Sequence, residues 1–136
     1  MMRVIPFIVL VMLFPANAGL SDTNLPPIKE IKNVKPRLSV FKAARRKKPL
    51  EIRSEKEATA HFQEKDLARL KKQVDFDKQI VLVFAWRGSG QDKLQYRVLE
   101  SFPEQIVFKI KPGRTRDLRP HVRIFVLRSN VKWRMQ

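Results

Sequence analysis

The chain has 136 residues, with 29 Lys and Arg against 13 Asp and Glu, a formal net charge of +16. Cysteine is absent, which excludes a thiol nucleophile, a disulfide framework, an iron–sulfur cluster and any Cys-based zinc site. A positive balance of this size keeps a small protein soluble and draws it toward polyanions such as nucleic acid, anionic glycans, envelope polymers or acidic proteins.

The first element expected is an export signal. Arg3 supplies a positive n-region, Val4 to Phe14 is an uncharged apolar run, and Ala16-Asn17-Ala18 places small side chains where a signal peptidase needs them. The apolar run is shorter than the roughly 20 residues that a membrane span requires. Residues 1–18 therefore read as a cleavable signal peptide with Ala16 and Ala18 at the cleavage site, and the product as secreted or periplasmic, with no membrane span left after cleavage. Removing 1–18 takes away only Arg3, leaving 28 cationic residues against 13 acidic ones in 118 residues, one domain's worth of chain.

Residues 19–50 contain Pro26, Pro27, Pro36 and Pro49, show no sustained apolar period, and include the run Arg45-Arg46-Lys47-Lys48. Adjacent like charges repel and favour a solvated chain, so this stretch reads as a basic, disordered or extended tail. A domain is expected over 51–136. Leu50-Glu51-Ile52 fits a first edge strand. Ser54-Glu55-Lys56-Glu57 fits a capping box, with the Ser54 hydroxyl on the Glu57 amide and the Glu57 carboxylate reaching back to the Ser54 amide. Helix follows to about Lys72, broken near Gln63–Glu64 by a five-residue step between Phe62 and Leu67.

From Gln79 the period becomes two. Ile80 to Trp86 is a continuous apolar run, as in a strand buried on both faces. After the Gly-bearing turn 87–92, Leu94, Tyr96 and Val98 alternate with Lys93, Gln95 and Arg97. Ile106, Phe108 and Ile110 then alternate with Val107 and Lys109. Pro112-Gly113 is a turn signal in which Gly can take positive φ. A last strand follows from His121 to Arg128, and Trp133 can tack the C-terminus onto the core. The expected class is α+β: an N-terminal helical segment packed on a mostly antiparallel sheet of about four to five strands.

The stretch Val74-Asp75-Phe76-Asp77-Lys78-Gln79-Ile80-Val81-Leu82-Val83, the loop Gly88-Ser89-Gly90 ahead of Tyr96, and Arg119-Pro120-His121-Val122-Arg123-Ile124 resemble the C-terminal domain of the bacterial protease-complex subunit PrcB. The likeness covers about residues 50–128. It implies an extracytoplasmic protein-interaction domain and no catalytic residue. Trp86 to Lys93 and Pro112 to Arg119 are also similar to a group of small exported proteins of planctomycete-type bacteria.

Chemistry is hard to assemble from these residues. His61 and His121 are the only imidazoles and lie on different elements, so no metal site and no cofactor are expected. Ser89 lies between strands, not at the strand-to-helix elbow of a serine hydrolase. Glu104 falls at the opposite end of the expected sheet from Asp92 and Asp117. No enzymatic activity is expected.

One constellation stands out. If the four main strands form an antiparallel meander, loops 87–92 and 112–120 share one end of the sheet. They would then gather Arg87, Lys93, Arg114, Arg116 and Arg119, with only Asp92 and Asp117 opposing them. Arg's planar fork matches carboxylate, sulfate and phosphate oxygens. The bland alternative is that Asp92 and Asp117 simply pair with these cations and knit the loops. The sequence thus points to an exported, non-enzymatic binding domain with a protein or peptide partner, or alternatively to a polyanion binder acting through the tail and the Arg-rich loops.

Overall fold

The computed structural model describes residues 25–136; the expected signal peptide lies outside the described residues. The described residues are α+β, mostly antiparallel, with seven strands in two sheets and three short helices. In chain order these are β1 (Ile28–Ile31), α1 (Val40–Ala43), β2 (Leu50–Ile52), α2 (Glu55–Thr59), α3 (Glu64–Lys71), β3 (Gln79–Gly88), β4 (Lys93–Leu99), β5 (Gln105–Lys111), β6 (Arg119–Arg128) and β7 (Lys132–Met135). Among the described residues no helix is long and apolar enough to cross a membrane.

The central sheet has the order β1-β6-β3-β2, and the second sheet the order β4-β5-β7. β3 and β6 form a ten-residue antiparallel ladder from Gln79 opposite Arg128 to Gly88 opposite Arg119. Both faces of this ladder are covered, which is why β3 is buried continuously from Gln79 to Trp86. Val81, Val83, Ala85, Ile124 and Val126 face the helices, meeting Phe62, Leu67 and Leu70. Leu82, Phe84, Trp86, Phe125 and Leu127 face the second sheet, meeting Leu94, Ile106 and Phe108. The rings of Phe84, Phe108 and Phe125 lie with centroids 4.8–5.8 Å apart, inside the range where tilted and edge-on aromatic pairs attract.

A four-stranded meander does not form. β4 leaves the central sheet, pairs with β5 as a hairpin, and β6 returns to β3. The reason is the second face of β3: a strand apolar on both sides needs a layer on each, and the hairpin supplies one of them. β7 closes this layer by pairing parallel to β5, with Trp133 edge-on to Phe108 at 6.4 Å.

The expectation of a disordered or extended tail over 19–50 is corrected for residues 28–50. β1 pairs with β6 along its whole length. Ile28 enters the core facing the second sheet and Ile31 the core facing the helices, so one short edge strand serves both. Val34, Val40 and Ala44 are buried as well. Arg123 grips Glu30 with two bonds of 2.6 and 2.9 Å and donates a third to the Leu94 carbonyl, tying β1, β6 and β4 together. The basic run is a tight turn in which Arg45 and Lys48 exchange backbone hydrogen bonds. The apolar residues here sit on successive short elements, so no single period reveals them.

Two local expectations are also refined. The Ser54 hydroxyl accepts the Glu57 amide at 3.2 Å, but the Glu57 carboxylate accepts from Arg53 N–H, one residue earlier than the standard box. Gly113 does not take positive φ; among the described residues only Asn33 among non-glycines does, at 65°, and no glycine does.

Candidate functional site

β3 leaves the central sheet at Gly88, and β6 enters it at Arg119 directly opposite. The turn after β3 and the connection from β5 to β6 therefore start from neighbouring positions. Four hydrogen bonds join them: Gly90 N–H to Asp117 Oδ1 at 3.1 Å, Gly113 N–H to Asp92 Oδ1 at 2.8 Å, Arg114 N–H to Gln91 Oε1 at 3.3 Å, and Ser89 Oγ with Thr115 Oγ1 at 2.5 Å. The two loops expected at one end of the sheet do meet, although by another topology. Gly113 is needed for space: a Cβ there would lie 2.5 Å from Ser89 Oγ and 2.7 Å from the Gln91 backbone carbon.

Asp92 is the buried centre of this junction. Its carboxylate also accepts the Trp86 indole N–H at 3.2 Å and lies 3.6 Å from Arg46 Nη2. Burial by itself would raise its pKa. The Gly113 amide, the Trp86 indole, and the positive charge of Arg46 and His121 outweigh that and hold it below the ordinary carboxylate value. The Asp117 carboxyl is lowered to about 2 by hydrogen bonds from the Thr115 hydroxyl and the Gly90 amide, with Arg119 adding to them.

His121 stacks on Trp86, centroids 4.8 Å apart and planes 14° from parallel. Its Nε2 lies 2.7 Å from the Ser89 carbonyl oxygen. A carbonyl can only accept, so Nε2 carries the proton. The imidazole thus fixes the Ser89 backbone and does not engage its hydroxyl, which instead accepts from the Gln91 amide at 3.2 Å. Among the described residues no group of three or more His, Asp or Glu stands together as a metal-binding set.

The five expected site residues divide. Arg119 is held by Asp117 at 2.6 Å, as the bland alternative required. Arg87 lies over the Phe41 ring at 4.9 Å. Lys93 and Arg114 border one open depression of about 610 Å³, together with Lys111. Arg116 is exposed. Lys93, Arg114 and Arg116 form no ion pair among the described residues. Two further cations stand at this end beyond the five expected residues, Arg46 and Lys111. Arg46 belongs to a basic run that reads as tail in the sequence. The outward position of Lys111 depends on which sheet its strand joins.

At the far end of β6, Arg128 is buried and bonded to the Glu104 carboxylate, to Asn130 Oδ1 at 2.8 Å and to the Leu25 carbonyl at 3.0 Å. The Arg128 hydrogen bond is the main reason the Glu104 pKa is lowered. This second polar cluster is structural, and it lies a full strand length from Asp92.

No protein-family model matches the chain, and neither a curated protein nor a solved structure matches it with significance.

Proposed function

We propose that the protein is an exported, non-enzymatic binding domain whose ligand is a polyanion. The observation that carries this reading is the charge left over at the loop junction. Asp92 and Asp117 are consumed by internal bonds, while Lys93, Lys111 and Arg114 border a depression that has no carboxylate in its lining among the described residues. The depression offers charge without a large apolar anchor, which favours an acidic polymer over a folded or peptide partner. The resemblance of residues 50–128 to the PrcB domain, which implies an extracytoplasmic protein-interaction domain, supports the extracytoplasmic setting and the non-catalytic role but not the choice of ligand. Export rests on residues 1–18, and mass spectrometry of material secreted by a bacterial host should find Gly19 at the N-terminus; an intact Met1 would remove that part of the proposal.

The experiment for the binding role compares two triple variants of equal net charge on immobilised heparin. One carries Lys93→Glu, Arg114→Glu and Arg116→Glu. The other carries Lys56→Glu, Lys65→Glu and Lys72→Glu in the helical layer. The junction variant should elute at clearly lower salt than the helical one. Equal shifts would mean a nonspecific field and would end the reading of the junction as a site.

A further inference from the structure

The residues that face outward from β4, β5 and β7 are rich in cations, and none of them is acidic. Lys93 stands directly opposite Lys111, and Gln95 opposite Lys109. Like charges directly across a strand pair are destabilising unless a counterion sits between them. Val107 lies in register between Arg97 and Arg134 and is only 2% exposed.

Three depressions that share lining residues extend from this surface around the end of β5. The first, about 290 Å³, is bordered by Arg97, Lys109, Gln95 and Gln136. The second, about 430 Å³, shares Lys109 and Gln136 and adds Arg46 and Lys47, over the apolar groups of Ile110, Pro112 and Met135. The third shares Pro112 and is the one at the loop junction, with Lys93, Lys111 and Arg114. The run turns around the end of β5, and among the described residues no Asp or Glu lines any part of it.

We infer that this run is a binding track for single-stranded nucleic acid, an inference that rests on the polyanion reading and names the polymer. The track bends around Pro112 over a few residues, which a duplex with a persistence length of about 150 base pairs does not follow. Cations alternate with apolar surface and with the amides of Gln91, Gln95 and Gln136. That alternation suits a strand whose phosphates take the charge while unstacked bases take the apolar surface and the amides. A sulfated glycan would leave the patch of Ile110, Pro112 and Met135 unused.

The test measures binding of a fluorescent oligothymidylate of about 15 nucleotides, a length in the range of single-strand sites, beside its duplex and heparin. The expected results are tighter binding of the single strand than of the duplex, and a log–log salt slope of about −3.5 to −5, as when five to seven phosphates are neutralised. Lys109→Glu with Lys111→Glu should weaken strand binding at least tenfold, and Lys65→Glu with Lys72→Glu should weaken it less than threefold. If the first pair misfolds, Lys109→Gln with Lys111→Gln, which relieves the repulsion with Lys93, carries the same comparison. Equal affinity for duplex and strand, or equal loss in both variant pairs, overturns the track. Heparin binding without oligothymidylate binding overturns the nucleic-acid assignment and leaves the polyanion reading standing. Binding of neither at low salt ends both.

Discussion

Asp92 Oδ1 accepts the Gly113 amide at 2.8 Å across 21 residues of sequence, and its second oxygen accepts the Trp86 indole at 3.2 Å. One buried carboxylate therefore ties the turn after β3 to the turn after β5 and to the central sheet. Asp92→Ala should leave two donors without their acceptor, each costing about 1–3 kcal/mol when buried. The melting temperature should fall by about 10–15 °C, as a loss of about 2–3 kcal/mol implies for a domain of this size. Asp92→Asn, which keeps an acceptor oxygen, should fall less. Thermal unfolding followed by tryptophan fluorescence measures both, and an unchanged melting point for Asp92→Ala would remove Asp92 from the centre of the junction.

Acid stability should report on Asp117. Its folded pKa of about 2 lies below the ordinary carboxylate value, so its ionised form is favoured by folding. That contribution is complete above about pH 4, near the unfolded value, and is lost as pH falls toward 2. The lowered values of Asp92 and Glu104 act in the same sense. Denaturant midpoints measured from pH 5 to pH 2 should decline for the parent chain, and Asp117→Asn should flatten part of that decline.

Removing Glu104 should expose the cost of a buried cation. Arg128 keeps Asn130 and the Leu25 carbonyl as acceptors, but the charge loses its only carboxylate among the described residues. Breaking a fully buried pair costs about 3–5 kcal/mol. Glu104 is partly exposed, so Glu104→Ala should cost about 2–3 kcal/mol. Urea denaturation checks this, and Arg128→Met combined with Glu104→Ala should recover a part of the loss.

Deleting residues 25–48 should unfold the domain and not merely shorten it. The deletion removes Ile28, Ile31, Val34, Val40 and Ala44 from the two cores, together with the Glu30 partner of Arg123 and the Arg46 partner of Asp92. Circular dichroism of the truncated chain should show loss of cooperative melting. In the intact chain, trypsin should cut at Arg45–Lys48 more slowly than in the urea-unfolded chain. Immediate cleavage there with an otherwise stable core would mean that this segment is only loosely held.

By itself the sequence determined what local physics determines. Period-two alternation placed β4, β5 and β6 to within a few residues. Ser54 and Glu57 marked a helix start, and the five-residue step after Phe62 marked the break between α2 and α3. Gly88, Gly90 and Gly113 marked the two turns that meet. Only the tertiary structure decided partners. Alternation says which residues share a face but not which sheet a strand joins, so the outward cations of β4 and β5 could not be placed beside Arg46 and Lys47. A four-residue edge strand such as β1 carries too few apolar residues to announce itself. Its stability comes from pairing with β6 nearly a hundred residues away. The fate of the junction's charges was equally nonlocal: Asp92 and Asp117 lie among cations in sequence, and only the meeting of the two loops shows that backbone amides, an indole and two arginines already satisfy them, leaving Lys93, Arg114 and Arg116 to face outward.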